Sequence, residues 1–192
     1  MAFEHIAEEL TQQKNNARYR QRYCLDKISG QNIVVDNKAY LNFSSNDYLG
    51  LNQHPEIAKA FQKGADQYGV CSTGSALITG YHKAHQQLED DICEWLNKES
   101  CLLFSSGFSA NSGALQALGK DSTQIYLDKL SHASLIDGAV ASEAESRRFL
   151  HNDLKQLDKL LTRTKAKTAD KLIVSEGVFS MDGDQAPVAD LL

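Results

Sequence analysis

From residue 101 onward, short apolar segments alternate with segments of helical periodicity. The apolar segments are CLLF (101–104), QIYL (124–127), RRFL (147–150) and KLIVS (171–175). Helical segments follow Gly107 and His132, and a third carries Leu154, Leu157 and Leu161 on one face. This alternation is typical of right-handed βαβ units. It predicts an α/β fold, with a mainly parallel sheet and flanking helices.

The part of the chain before residue 101 predicts three helices and a hairpin. The expected elements are a helix through about residue 20, a hairpin over 32–42, a helix beginning at Pro55 and a helix over 82–97. In the helix over 82–97, Leu88, Ile92 and either Trp95 or Leu96 are expected to face inward. We predict two domains: residues 1–50, with the first helix and the hairpin, and residues 51–192, the front part of a larger α/β domain.

Composition and charge argue against several functional classes. Hydrophobic residues make up 42% of the chain, and the net charge is -5. The densest basic stretch, Arg18, Arg20 and Arg22, is too short to indicate nucleic-acid binding. The longest apolar runs are far shorter than a bilayer span, so a cytoplasmic protein with no membrane partner is expected. His82 and His85 have no third ligand nearby in sequence, and no metal site is predicted.

Polar residues follow three of the predicted strands. The segments are SSGFSAN (105–111), Asp128 with SHAS (131–134), and Glu176 with Ser180 and Asp182. In open α/β sheets, ligands bind beyond the carboxyl ends of the strands. A glycine among small hydroxyl residues at a helix start also offers backbone N–H groups and a positive dipole end, which suit a phosphate. The pattern indicates a phosphate-containing ligand at this edge of the sheet.

Each of these residues alone has a simpler interpretation. The residues 105–111 can be helix caps, and His132 can cap or pack. Glu176 can pair with a buried donor, and Asp182 can belong to a turn. Convergence of three strand ends on one edge favours the ligand interpretation. The segment 113–120 resembles a P-loop, but it has the wrong glycine spacing and lies within a predicted helix.

Seven segments together resemble the α-oxoamine synthases, a family of enzymes that depend on pyridoxal 5'-phosphate (PLP). The resemblance extends from Arg18 to Leu192. Within the family, GVFSMDGD and HASLIDGA favour a member that condenses L-alanine with a pimeloyl thioester, carried on coenzyme A or acyl carrier protein. The segments are FSSNDYLGL (43–51), HP (54–55), GSALITGYHKAHQQLE (74–89), LLFSSGFSAN (102–111), DKLSHASLIDGA (128–139), RRFLHND (147–153) and SEGVFSMDGDQAP (175–187).

The resemblance implies a fold and a set of site residues. The fold would be PLP-dependent transferase fold type I, like that of aspartate aminotransferase, in a homodimer. His132 would stack on the cofactor, contact substrate and act in catalysis. Arg20 would contact substrate. The remaining cofactor-binding residues would be Gly107, Phe108, Ser180 and, in a supporting role, Glu176.

Two parts of the family site have no match in this sequence. There is no aspartate in a D-x-A-H segment, and no lysine in the Gly-Lys segment that forms the Schiff base. We therefore expect a chain with an incomplete sheet that represents the front part of an enzyme and is inactive by itself. A non-catalytic scaffold and an unrelated phosphate-binding α/β domain are the competing interpretations.

Overall fold

The computed structural model describes residues 3–163 and 170–192. The chain forms two compact units, Met1–His82 and Lys83–Leu192. The predicted domain boundary after residue 50 stays a prediction. Among the described residues, no helix has both the length and the apolar character that a membrane span requires.

The first unit contains two helices and a small antiparallel sheet. Its sheet has the order β1-β2-β3. A 3-10 turn at Leu51–Gln53 precedes the second helix. The elements are α1 (His5–Asn15), β1 (Lys27–Ser29), β2 (Asn32–Val35), β3 (Lys38–Leu41) and α2 (Pro55–Tyr68).

Local sequence explains most of these elements. The predicted hairpin is confirmed as β2 and β3, whose connecting residues Asp36 and Asn37 both have positive φ, as a two-residue hairpin turn requires. Helix α2 begins at Pro55, also as predicted. Helix α1 ends before the predicted residue 20, because Ala17 has a φ of 53°, outside the helical range.

The second unit contains a three-stranded parallel sheet with the order β5-β4-β6. The predicted α/β fold with a parallel sheet is therefore confirmed. Its helices are α3 (Lys83–Leu96), α4 (Gly107–Leu118), α5 (Ala133–Ala141), α6 (Leu154–Arg163) and α7 (Val188–Leu191). Its strands are β4 (Thr123–Asp128), β5 (Glu145–Phe149) and β6 (Asp170–Val174).

Strand β4 is buried on both faces and forms the centre of this unit. Alternate side chains point to opposite faces of a strand. One face packs against α4 and α5, and its cluster contains Ile125 and Leu127 with Leu115, Ala139 and Val174. The other face packs against α6, and its cluster contains Tyr126, Phe149 and Leu157. The sheet therefore lies between two helical layers.

Two predictions about apolar segments were wrong. Residues 101–104 form no strand, because none of the described strands lies beside them and a strand needs a hydrogen-bonded neighbour. The predicted inward face of α3 is not buried, since Leu88 is 49% exposed and Trp95 is 82% exposed. On the apolar face of α2, Phe61 is likewise 80% exposed. Helical periodicity identifies an apolar face, but the packing partner depends on the tertiary structure.

Gly138 allows α5 to pack closely against α4. A Cβ built at Gly138 would lie 2.9 Å from the Cα of Ser112 and 3.2 Å from the Cβ of Leu115. Backbone atoms of α4 cannot move aside independently, so a side chain at this position would push the two helices apart.

We expect Gly138→Ala to destabilise the protein by about 1–3 kcal/mol, because the added methyl group overpacks this contact. The matched control is Gly64→Ala, which lies inside α2 and has no atom within 4 Å of the added Cβ. The control should be neutral or slightly stabilising, because alanine favours helix. Urea denaturation measures both. Equal stability of the two variants would contradict the close-packing argument.

Candidate functional site

Three segments of the second unit line one cleft with a volume of about 470 Å³. They are the start of α4, the start of α5 after the β4 loop, and the segment that leaves β6. The lining residues are Gly107, Phe108, Asn111, His132, Ser134, Leu135, Ser175, Glu176, Gly177 and Val178. The predicted site residues Gly107, Phe108, His132 and Glu176 are thus together in one cleft.

The start of α4 has a side-chain cap, and there is free space beside Gly107. Ser106 has extended backbone angles, and its Oγ accepts a hydrogen bond from the Ser109 amide at 3.1 Å. Beyond it, a Cβ built at Gly107 has no atom within 4 Å. The first amides of a helix have no partner within the helix, and the helix dipole places positive charge there. The helix start can therefore bind an anion, with its cap in place.

His132 is the N-cap of α5 and lines the cleft. Its Nδ1 accepts a hydrogen bond from the Ser134 amide at 3.2 Å and lies 2.7 Å from the Ser134 Oγ. The Ser134 Oγ in turn accepts from the Asn111 Nδ2 at 3.0 Å, so its own proton is available to the imidazole. Because Nδ1 is the acceptor, the neutral ring carries its proton on Nε2. These bonds fix the orientation of the imidazole.

Phe108 and His132 form an aromatic pair at the cleft. Their ring centroids lie 6.5 Å apart, and the planes meet at 76°. This is the edge-to-face arrangement that aromatic rings prefer over face-to-face stacking. Because the imidazole is exposed, a flat ligand can reach it.

Glu176 joins the exits of β4 and β6. Its carboxylate accepts a hydrogen bond from the backbone amide of His132. Its carbonyl oxygen accepts one from the Ala186 amide at 3.3 Å. Glu176 therefore stabilises the position of His132, and its contact with a cofactor stays a prediction.

Two other predicted site residues lie outside the cleft lining. Ser180 is exposed on the segment after β6. Arg20 belongs to the first unit, where it lines a surface depression with Gln13, Ala17, Arg18 and Tyr19. The roles of Ser180 and Arg20 stay predictions.

A charged network near the cleft was missed by the sequence analysis. The His151 Nδ1 lies 3.0 Å from the Asp128 Oδ1, and its Nε2 lies 2.7 Å from the Asp184 Oδ2. Asn152 donates to both carboxylates, from its amide to Asp128 at 2.9 Å and from Nδ2 to Asp184 at 3.1 Å. The available signal was that Asp128 ends β4, His151 and Asn152 follow β5, and Asp184 lies on the segment after β6.

The two carboxylates change the proton affinity of His151. The hydrogen bond to Asp128, which has the larger effect, and the hydrogen bond to Asp184 both raise the pKa of the imidazole above its ordinary value. Burial of the ring opposes this effect only in part. The charged form of His151 is therefore favoured in the folded protein.

Sequence comparisons identify relatives over nearly the whole chain. The model of the aminotransferase class I and II family matches residues 38–192. The 8-amino-7-oxononanoate synthases of Salmonella paratyphi B and Salmonella typhi are each 45% identical to this chain over 188 residues. Each alignment covers 98% of this chain and 48% of the synthase. The chain spans about half the length of these curated relatives.

Solved structures share the fold. Serine palmitoyltransferase from S. paucimobilis, determined with a PLP-myriocin aldimine, matches with a TM-score of 0.88 and 27% identity over 98% of this chain and 48% of its own. The 8-amino-7-oxononanoate synthase of Francisella tularensis matches with a TM-score of 0.65 and 33% identity over 78% of this chain and 40% of its own. These matches confirm the predicted fold type I.

The match of the family model over most of the chain decides its membership. The chain therefore belongs to the aminotransferase class I and II family, and it is similar to about half of the length of the 8-amino-7-oxononanoate synthases.

Proposed function

We propose that the complete protein is a PLP-dependent acyltransferase that condenses L-alanine with a pimeloyl thioester, the reaction of 8-amino-7-oxononanoate synthase. The observation that carries this proposal is the convergence of Gly107, His132 and Glu176 on one cleft at the carboxyl ends of parallel strands. The 45% identity to enzymes of that name supports the choice of reaction.

The residues of the cleft fit PLP. Its volume is within the range of about 300–1,000 Å³ that small-molecule sites occupy. The open start of α4 offers amides at Gly107 and Phe108 for a phosphate. The imidazole of His132, oriented by Ser134, offers a flat surface for an aromatic ring.

The other site residues have proposed roles around this cofactor. Glu176 fixes the His132 backbone through its carboxylate and supports the cofactor site. Ser180 contacts the cofactor, and Arg20 contacts the substrate. The complete protein acts as a homodimer.

PLP, when bound, withdraws electrons from the α-carbon of an amino acid and makes its proton removable. His132 would hold the ring flat and contact the substrate, and its Nε2 proton is available for a hydrogen bond or for transfer. Overall, L-alanine and the pimeloyl thioester would give 8-amino-7-oxononanoate, carbon dioxide and the free thiol carrier. Coenzyme A and acyl carrier protein are both candidate carriers.

The reaction of a different α-oxoamine synthase is the main competing function. The structural match to serine palmitoyltransferase is high in TM-score, but its sequence identity of 27% is lower than the 45% of the oxononanoate synthases. A shared fold does not determine the substrate, because specificity depends on local contacts. Glycine C-acetyltransferase activity and a role as a non-catalytic scaffold are two further candidate functions.

We expect His132→Asn to weaken PLP binding by the complete protein about three- to tenfold, because the variant keeps a capping acceptor but loses the aromatic ring. His132→Phe keeps a ring and loses the cap, so it should bind PLP more tightly than the asparagine variant. Absorbance titration with PLP measures both. His54→Asn is the control, since His54 is an exposed histidine that makes no side-chain cap bond. Equal weakening by asparagine and phenylalanine would contradict the stacking role.

We expect the complete protein to release thiol fastest when L-alanine is paired with a pimeloyl thioester. Pimeloyl-CoA and pimeloyl acyl carrier protein are the two test carriers, and thiol release with mass detection of the amino ketone is the measurement. Glycine with acetyl-CoA and L-serine with palmitoyl-CoA are the comparison pairs. Faster turnover of either comparison pair would replace the proposed reaction by that of another family member. No turnover of any pair would favour the scaffold.

A further inference from the structure

The histidine network joins three segments that leave the carboxyl edge of the sheet. Asp128 ends β4, His151 follows β5, and Asp184 lies on the segment after β6. None of these three residues lines the cleft. The network therefore connects the supports of the cleft without being part of its surface.

The segment 176–186 contains Glu176 and Ser180, and it contacts His151. Within the segment, the Phe179 amide donates to the Asp184 carbonyl at 2.9 Å, and the Gly183 amide donates to the Phe179 carbonyl at 2.8 Å. The Phe179 ring is 2% exposed and meets the His151 ring edge-on, with centroids 4.4 Å apart. His151 thus contacts this segment twice, through Phe179 and through the Asp184 carboxylate.

The other side of His151 is anchored to a buried charge. The Asp128 side chain is fully buried, and its carboxylate also accepts the Leu130 amide at 2.8 Å and the Asn152 amide at 2.9 Å. A buried carboxylate is stable only when it is paired and hydrogen-bonded. The His151 imidazole, whose charged form the two carboxylates favour, pairs with Asp128 at the end of β4, the most buried strand.

We propose that His151 is a positioning residue that holds the segment 176–186, with Glu176 and Ser180, against the carboxyl edge of the sheet. An effect of His151 on cofactor binding rests on the proposed function. Its positioning of the segment 176–186 does not.

The stabilisation of the segment 176–186 by His151 depends on pH. Asp128 and Asp184 are the charged groups that face the imidazole from the neighbouring segments, and both favour its cation. Because the pKa of His151 is raised on folding, its stabilising contribution is fully present below the unfolded pKa and is lost as the pH rises through the folded pKa. The segment should therefore loosen on the alkaline side of that value.

Amide hydrogen exchange tests the proposal. In His151→Gln we expect the protection factors of the Phe179 and Gly183 amides to fall about tenfold or more, because charge-assisted bonds to two carboxylates are lost. The amides of Tyr126 and Ile173 in the sheet should change little. His54→Gln is the matched control. In the parent protein, the same two loop amides should lose protection as the His151 imidazole, followed by NMR, is deprotonated.

Asp184→Asn is the second variant, in case loss of the imidazole leaves Asp128 unpaired and unfolds the protein. The Asp184 side chain is 44% exposed, and the Asp128 pair remains in this variant. We expect a smaller loss of loop protection and a lower titration midpoint for His151. Unchanged loop protection in both variants, or an equal loss of protection in the loop and sheet amides of Asp184→Asn, would overturn the proposal.

Titration with PLP separates this proposal from the proposed function. Weaker PLP binding by Asp184→Asn than by the parent protein is the expected result. Failure of the complete protein without substitutions to bind PLP would overturn the proposed function. The exchange data decide the role of His151 by themselves.

Discussion

Strand β4 is hydrogen-bonded to a parallel strand on each edge and covered by helices on each face. Its register with β6 pairs Leu127 with Val174, so the segments that leave both strands begin side by side. This explains why Glu176 can accept the amide of His132, although the two residues are 44 positions apart. The cleft exists because parallel strands end at a common edge.

Helix capping occurs at the same edge as the cleft that is proposed to bind the ligand. Ser106 caps α4 and His132 caps α5, as the simpler interpretation of the sequence holds. Both residues nevertheless lie at the cleft or next to it, because the starts of α4 and α5 both line the cleft with their backbone amides. For His132 the cap has a further consequence, since Nδ1 is engaged and the protonated Nε2 is available.

The electrostatics of the edge are organised around Asp128. A fully buried carboxylate requires donors, and it receives them from Leu130, Asn152 and His151. The bond from Asn152 comes from a residue with a φ of 52°, a conformation that asparagine tolerates better than most residues. Because a buried charge needs hydrogen-bond partners, the Asp128 carboxylate binds both the segment after β4 and the segment after β5.

Local sequence determined the helices α2 to α6, the strands β4 to β6 and the parallel character of the sheet. The same periodicity gave no partner for residues 101–104 and no cover for Phe61 or Trp95, because a backbone pattern encodes an apolar face and not what packs on it. The sequence predicted Gly107, His132 and Glu176 at strand ends, and in the structure His132 and Glu176 follow β4 and β6. Only the tertiary structure decided which of these ends meet.

His151 lies 23 positions from Asp128 and 33 from Asp184, and their pairing follows from the strand order β5-β4-β6. Hydrophobic periodicity indicates whether a segment is a helix or a strand and which of its faces is apolar. Contacts between distant segments depend instead on how the strands are ordered in the sheet.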